Sequence, residues 1–125
     1  MDGPVDGERL PRSARLRRTN EIRKLLERGK RKRMPTVDVF FAPSPVSRSR
    51  LGLIVPKYGR DIVARNLVKR RLREIGRREI LPAMDLHGLA TDILVRARPA
   101  AYEADYHRLA REVQEAVEEL CCEER

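Results

Sequence analysis

Apolar positions along the chain recur with two periods, and the switches between them outline a fold. Ile22, Leu25 and Leu26 stand at i, i+3 and i+4 behind Thr19, with Gly29 just beyond. This spacing predicts a short amphipathic helix capped by Thr19 and stopped at Gly29. Residues 37–42 (VDVFFA), 51–55 (LGLIV) and 91–97 (TDILVRA) read as strands. Residues 43–49 form a turn-rich connection, and Pro56 and Gly59 end the second strand. Asp61 is placed to cap a helix over 62–78. In that helix Ala64, Val68, Leu72 and Ile75 fall within one narrow stripe. Gly76 weakens its last turn by about 1 kcal/mol relative to Ala. Residues 81–88, with Pro82, read as a loop. Beyond Pro99, the positions Tyr102, Tyr106, Leu109, Val113, Val117 and Leu120 recur at steps of three and four, predicting a final helix. Residues 1–15 have Pro4, Pro11 and no apolar period, and are expected to be a disordered tail. Residues 16–120 form one domain and 121–125 a C-terminal tail. The element order α-β-β(-β)-α-β-α predicts a small α+β domain with helices packed on one mixed sheet.

Composition sharpens this outline. The chain has 125 residues, 41% of them hydrophobic and 4% aromatic, without Trp, so the core of a single domain is mainly aliphatic. No apolar run is long enough to span a bilayer. The opening MDGPVDGE is acidic and lacks the apolar stretch of a signal peptide. Cys121 and Cys122 are adjacent and read as free thiols in a reducing compartment. A cytoplasmic protein with no membrane partner and no protein partner is expected. The net charge of +9 points to a polyanion. It is segregated: residues 9–33 hold 12 Lys/Arg against 2 acids, 46–78 hold 11 against 2, and 99–125 hold 3 against 8. Solubility alone does not require two basic blocks and an acidic last helix.

Motifs for protein-borne catalysis are missing. His87 and His107 lack metal-ligand spacing to Cys, Asp or Glu. The chain has no nucleophile elbow and no phosphate-cradling Gly-rich loop. Asp85 and Asp92 read as turn or capping residues. No catalytic residue and no metal ligand is assigned.

The basic blocks carry the signal instead. In the helix over 62–78, Arg65, Lys69, Arg70, Arg73 and Arg77 lie away from the apolar stripe, with Asn66 among them and Glu74 at the flank. A solvated helix mixes charge signs; a face of nearly one sign suits phosphates. Arginine predominates, and its planar fork pairs with phosphate oxygens and stacks on bases. Asn66 offers a donor and an acceptor to a ribose hydroxyl, a base edge or local backbone. The pattern alone admits a non-catalytic RNA-binding or ribosomal protein, and also a DNA-binding regulator. Strands rather than a helix-turn-helix partner flank the helix, which counts against the regulator.

The stretch VPKYGRDIVARNLVKRRLRE resembles the signature of the bacterial ribonuclease P protein component. In that signature a strand ending in a Lys-containing turn leads to Arg-Asn-x-x-Lys-Arg-x-x-Arg-Glu, here Arg65, Asn66, Lys69, Arg70, Arg73 and Glu74. The resemblance runs from about Leu16 to Leu120. It implies a subunit of a ribonucleoprotein endoribonuclease that removes the 5′ leader of precursor tRNA. It further implies that the RNA subunit holds the active site and its Mg2+ ions. The signature helix would bind the catalytic RNA through Arg65, Asn66, Lys69, Arg70 and Arg73. The leader would lie in a cleft between the first helix and one sheet face, against Ile22, Leu26 and Phe40, with Arg17, Arg18, Lys57 and Arg60 near its phosphates. A left-handed strand–helix–strand crossover is implied, an exception to a strong rule. The chain departs from the pattern at Leu67, often Arg in the family, at Tyr58, often Lys, and at Ile22, often Phe. Arg60 and Arg71 are extra cations that could replace lost phosphate contacts. The strand pattern alone favours Phe40 as a core residue; the resemblance favours the cleft.

Overall fold

A computed structural model describes residues 11–86 and 88–124, with side chains through Leu120. Residues 1–10, His87 and the side chains of Cys121 and Cys122 lie outside the described residues. Among the described residues, four α-helices and four strands follow in order: α1 (Thr19–Arg28), β1 (Lys30–Arg33), β2 (Val37–Pro43), β3 (Arg50–Ile54), α2 (Ile62–Ile75), α3 (Leu81–Leu86), β4 (Thr91–Ala97) and α4 (Tyr106–Glu124). The strands form one sheet in the order β1-β2-β4-β3. β2 is antiparallel to both β1 and β4, while β3 runs parallel to β4, so the expected mixed sheet is present.

Alternation along the strands divides the sheet into two faces. Val37, Val39 and Phe41 of β2, Leu51 of β3 and Ile93, Val95 and Ala97 of β4 face the main core. There they meet Val68, Leu72 and Ile75 of α2 and Leu109, Val113, Val117 and Leu120 of α4, all buried. Truncating such a side chain, as in Leu72→Ala, costs about 2–5 kcal/mol. The other face carries a smaller cluster of Leu16, Leu25, Phe40 and Leu94, onto which Ile22 and Leu26 of α1 pack. α2 is thus held by its apolar stripe, and its basic side is turned away from the core. Asp61 caps it as expected, accepting from the Ala64 N–H at 2.8 Å.

Several local expectations are corrected. The predicted loop over 81–88 is helical as far as Leu86: α2 passes through a π turn, Gly76–Ile80, directly into α3. The wide turn sits just before Pro82, whose missing N–H removes a bond from the ladder. Gly76 has a packing reason, since a Cβ there would lie 2.2 Å from Leu51 Cδ2. The basic run 30–33 is an edge strand. The end of the expected disordered tail is structured. Arg12–Ala14 form a 3-10 turn, Ala14 is buried, and Arg15 bridges to Leu51. At the other end α4 continues to Glu124, through the expected tail. Thr19 is the first residue of α1, and Arg18 occupies the cap position. Tyr102 belongs to a separate 3-10 turn, Pro99–Glu103, and Asp105 caps α4 by accepting from the Arg108 N–H at 2.8 Å.

Candidate nucleic-acid interface

The outward side of α2 forms the first basic surface. Asn66, Lys69, Arg70 and Arg73 line a shallow hollow of about 590 Å³ together with Val63 and Leu67. Lys69, Arg70 and Arg73 have no carboxylate partner among the described residues. Partial burial lowers the Lys69 pKa, and the neighbouring charges of Arg65 and Arg73 lower it further. An anion in the hollow would relieve that repulsion. Arg65, expected on the same surface, is fastened at its base: its Nε donates to the Val55 carbonyl at 2.7 Å. This bond ties α2 to the segment leaving β3 and leaves the terminal nitrogens of the fork. Arg77 does not extend the surface, because it makes a two-pronged pair with Glu74 at 3.0 Å. That pairing holds the Glu74 carboxyl below its ordinary pKa, against the opposing effect of burial. Arg71 donates through Nη1 to the Ala104 carbonyl at 3.0 Å, which ties it to the segment before α4.

The second surface is the sheet face beneath α1. Strand register sets Arg31 opposite Phe40 and Phe40 opposite Leu94, with Arg33, Asp38 and Arg96 forming the adjacent row. The Arg31 and Arg96 guanidinium carbons lie 5.5 and 5.1 Å from the Phe40 ring centroid. Asp38, buried at 4% exposure, draws in Arg31 at 3.3 Å, Arg96 at 3.1 Å and Arg33 at 3.5 Å. Three cations around one carboxylate leave a net local charge of about two. At the opposite end of this face, Arg50 bridges Asp92 at 2.8 Å and Glu21 at 3.2 Å, fastening α1 to β3 and β4.

The structure brings Ile22, Leu26 and Phe40 together, but not as an open aromatic platform. Phe40 is 2% exposed. Aliphatic side chains of α1 pack against its cluster and two guanidinium groups lie over its ring, so the ring is covered rather than open to solvent. Arg17 and Arg18 are exposed at the entry to α1, next to Leu16 of the same cluster. Lys57 is exposed beyond β3. Arg60 is engaged, pairing with Glu103 and lying 5.2 Å over the Tyr102 ring. Sequence reasoning passed over Arg96 and Asp38; the polar positions alternating with apolar ones in VDVFFA and TDILVRA were the available signal.

Comparison with known proteins agrees with this architecture. A family profile described as Ribonuclease P matches residues 10–121. A ribonuclease P protein component from Micrococcus luteus is 41% identical over 113 residues, covering 82% of this chain and 84% of the relative. One from Streptomyces bikiniensis is 34% identical over 122 residues, covering 89% and 94%. The solved RNase P protein from Thermotoga maritima superposes with a TM-score of 0.66 at 26% identity, over 81% of this chain and 92% of that one. The Staphylococcus aureus RNase P protein gives 0.68 at 22% identity, over 84% and 93%, a likeness of fold. Family match, identity across most of the chain and shared fold together establish that this chain belongs to the ribonuclease P protein component family.

Proposed function

We propose that the chain serves the ribonucleoprotein endoribonuclease that trims the 5′ leader from precursor tRNA, with its two basic surfaces contacting different RNAs. The outward face of α2 docks the catalytic RNA through Arg65, Asn66, Lys69, Arg70 and Arg73. The observation that carries this reading is the hollow on α2, where neighbouring cations lack counter-ions among the described residues. Phosphate oxygens supply what the fold does not.

The sheet face beneath α1 takes the single-stranded leader. Arg31 and Arg96 offer flat guanidinium planes to bases and charge to phosphates, while Phe40 supports them from below. Ile22 and Leu26 border this face, and Arg17, Arg18 and Lys57 add cations along the approach. Arg60 joins them only by releasing Glu103. The Mg2+ ions that the reaction would use are assigned in this reading to the RNA subunit, and no residue of the chain is given a metal-binding role. The protein's part is to position RNA and lower its repulsion, in the cytoplasm, where precursor tRNA is made.

Reconstitution tests the reading. Mixed with its cognate large RNA, the protein should permit leader removal at Mg2+ concentrations where the RNA alone is nearly inactive, because protein cations replace ions around the phosphates. The protein without RNA should not cleave. An unchanged Mg2+ requirement, or cleavage by RNA-free protein, would contradict the assignment.

A further inference from the structure

The turn that joins β3 to α2 holds an aromatic residue in an unusual way. Tyr58 has φ of 50°, the only positive value among the described non-glycine residues. The left-handed region is disfavoured for a bulky side chain, and a tyrosine stays there only when its surroundings hold it. Here they do. The Tyr58 hydroxyl donates to the Ala97 carbonyl at 2.9 Å, at the end of β4. Its ring meets Tyr102 edge-on at 6.3 Å between centroids. Tyr102 is fixed in turn, its hydroxyl donating to the Pro56 carbonyl at 2.5 Å.

This anchoring does not bury the ring, and Tyr58 remains 45% exposed. Its hydroxyl is already bonded, so much of what it offers outward is aromatic surface. The surroundings are cationic: Lys57 is exposed beside it, Arg60 lies over Tyr102, and Arg65 is bonded to Val55 just before the turn. The two nearby acids are occupied, Asp61 with the Ala64 N–H and Glu103 with Arg60. A rigid, half-exposed ring among cations is the chemistry that holds an unpaired base with its phosphate.

We infer that Tyr58 is a stacking platform for one unpaired RNA nucleotide, with Lys57 as its phosphate partner. The inference rests on the chain's working as an RNA-binding subunit and adds, beside Lys57, an aromatic contact at Tyr58 that the two basic surfaces do not include. The base could come from the leader or from the catalytic RNA, and the two are separable by measurement.

The experiment uses Tyr58→Ala, Tyr58→Phe and Tyr58→Trp. Affinity is measured for the catalytic RNA and, with assembled holoenzyme, for precursor and mature tRNA. Tyr58→Ala should weaken binding by roughly fivefold to a hundredfold, the range for losing one base stack. Loss at assembly assigns the base to the catalytic RNA; loss confined to precursor tRNA assigns it to the leader. Tyr58→Phe, which keeps the ring, should remain within about twofold to threefold of the parent protein, since only a neutral hydrogen bond is removed. The chain has no Trp, so Tyr58→Trp adds a single reporter whose fluorescence should be quenched by the same RNA. A folded Tyr58→Ala with unchanged affinities overturns the inference. So does equal loss in Tyr58→Phe and Tyr58→Ala, which would make the hydroxyl the working group. Should Tyr58→Ala not fold, an unquenched reporter at saturating RNA overturns it alone. Failure of the parent protein to assemble with the RNA would instead sink the functional reading beneath it.

Discussion

On the outward face of α2, Lys69, Arg70 and Arg73 surround a hollow without a carboxylate among the described residues, whereas beneath α1 three arginines gather around Asp38. The residue types are nearly the same; their resting states are not. Repulsion lowers the Lys69 pKa on the first surface after burial has already done so, while the second surface carries its own counter-ion. Formal charge therefore overstates what the sheet face offers a polyanion, but not what the α2 face offers. The α2 face is available at once. For the sheet face to hold RNA as proposed, a phosphate would have to displace the internal carboxylate of Asp38 from its arginines.

The contrast can be broken by testing whether the sheet face is packed. Phe40→Ala should destabilise the fold by about 3–5 kcal/mol, the usual cost of truncating a buried aromatic. Arg70→Ala on the exposed α2 face should stay within about 0.5 kcal/mol. Thermal melts of both variants check this; a Phe40→Ala protein as stable as its parent would mean that the face is an open cleft.

A smaller effect concerns a carboxylate that belongs to the fold alone. Glu112 accepts from the Thr36 N–H at 2.8 Å and from its hydroxyl at 2.7 Å, and Arg108 donates to its other oxygen at 3.1 Å. Burial pushes its pKa up, but these donors outweigh it and leave the group below its ordinary 4.5. The unfolded chain therefore takes up the proton first. The resulting stability is present above the ordinary pKa and is lost as pH falls through the lower folded value. Glu112→Gln should remove this acid-limb slope and cost about 1–3 kcal/mol at neutral pH, without altering the salt dependence of RNA binding. Urea titrations between neutral and acid pH measure the slope, and an unchanged slope would remove Glu112 from the account.

Asp38→Asn should sharpen the comparison most finely. It removes the internal counter-ion, so the sheet face should come to resemble the α2 face. The slope of log affinity against log salt for a single-stranded leader should steepen by about 0.7, one extra phosphate contact on a single strand. An unchanged slope would show that Asp38 does not compete with RNA.

Much of this arrangement is written locally in the sequence. The stripe Val68, Leu72 and Ile75 set the side of α2 that is buried, and hence the side that presents Lys69 and Arg73. Asp61 as a cap and the alternation in VDVFFA were readable for the same reason, because each depends on neighbours within a few residues. The missed features depend on distant partners. KRKR has no apolar period, yet it becomes β1 because β2 offers a free edge, and Lys32 reaches Glu119 of α4 at 3.2 Å. Phe40 is covered by Arg96, and Tyr58 is anchored on Ala97, each from far along the chain. The helical path through 81–86 continues α2 across a π turn that no simple period announces.

The most direct test of the central claim is the salt dependence of assembly with the catalytic RNA for the parent protein and for Lys69→Ala combined with Arg73→Ala. The double variant should keep an intact fold, assemble more weakly and show a slope reduced by about two, near one for each phosphate contact removed. Full assembly with an unchanged slope would show that the α2 face is only solvated.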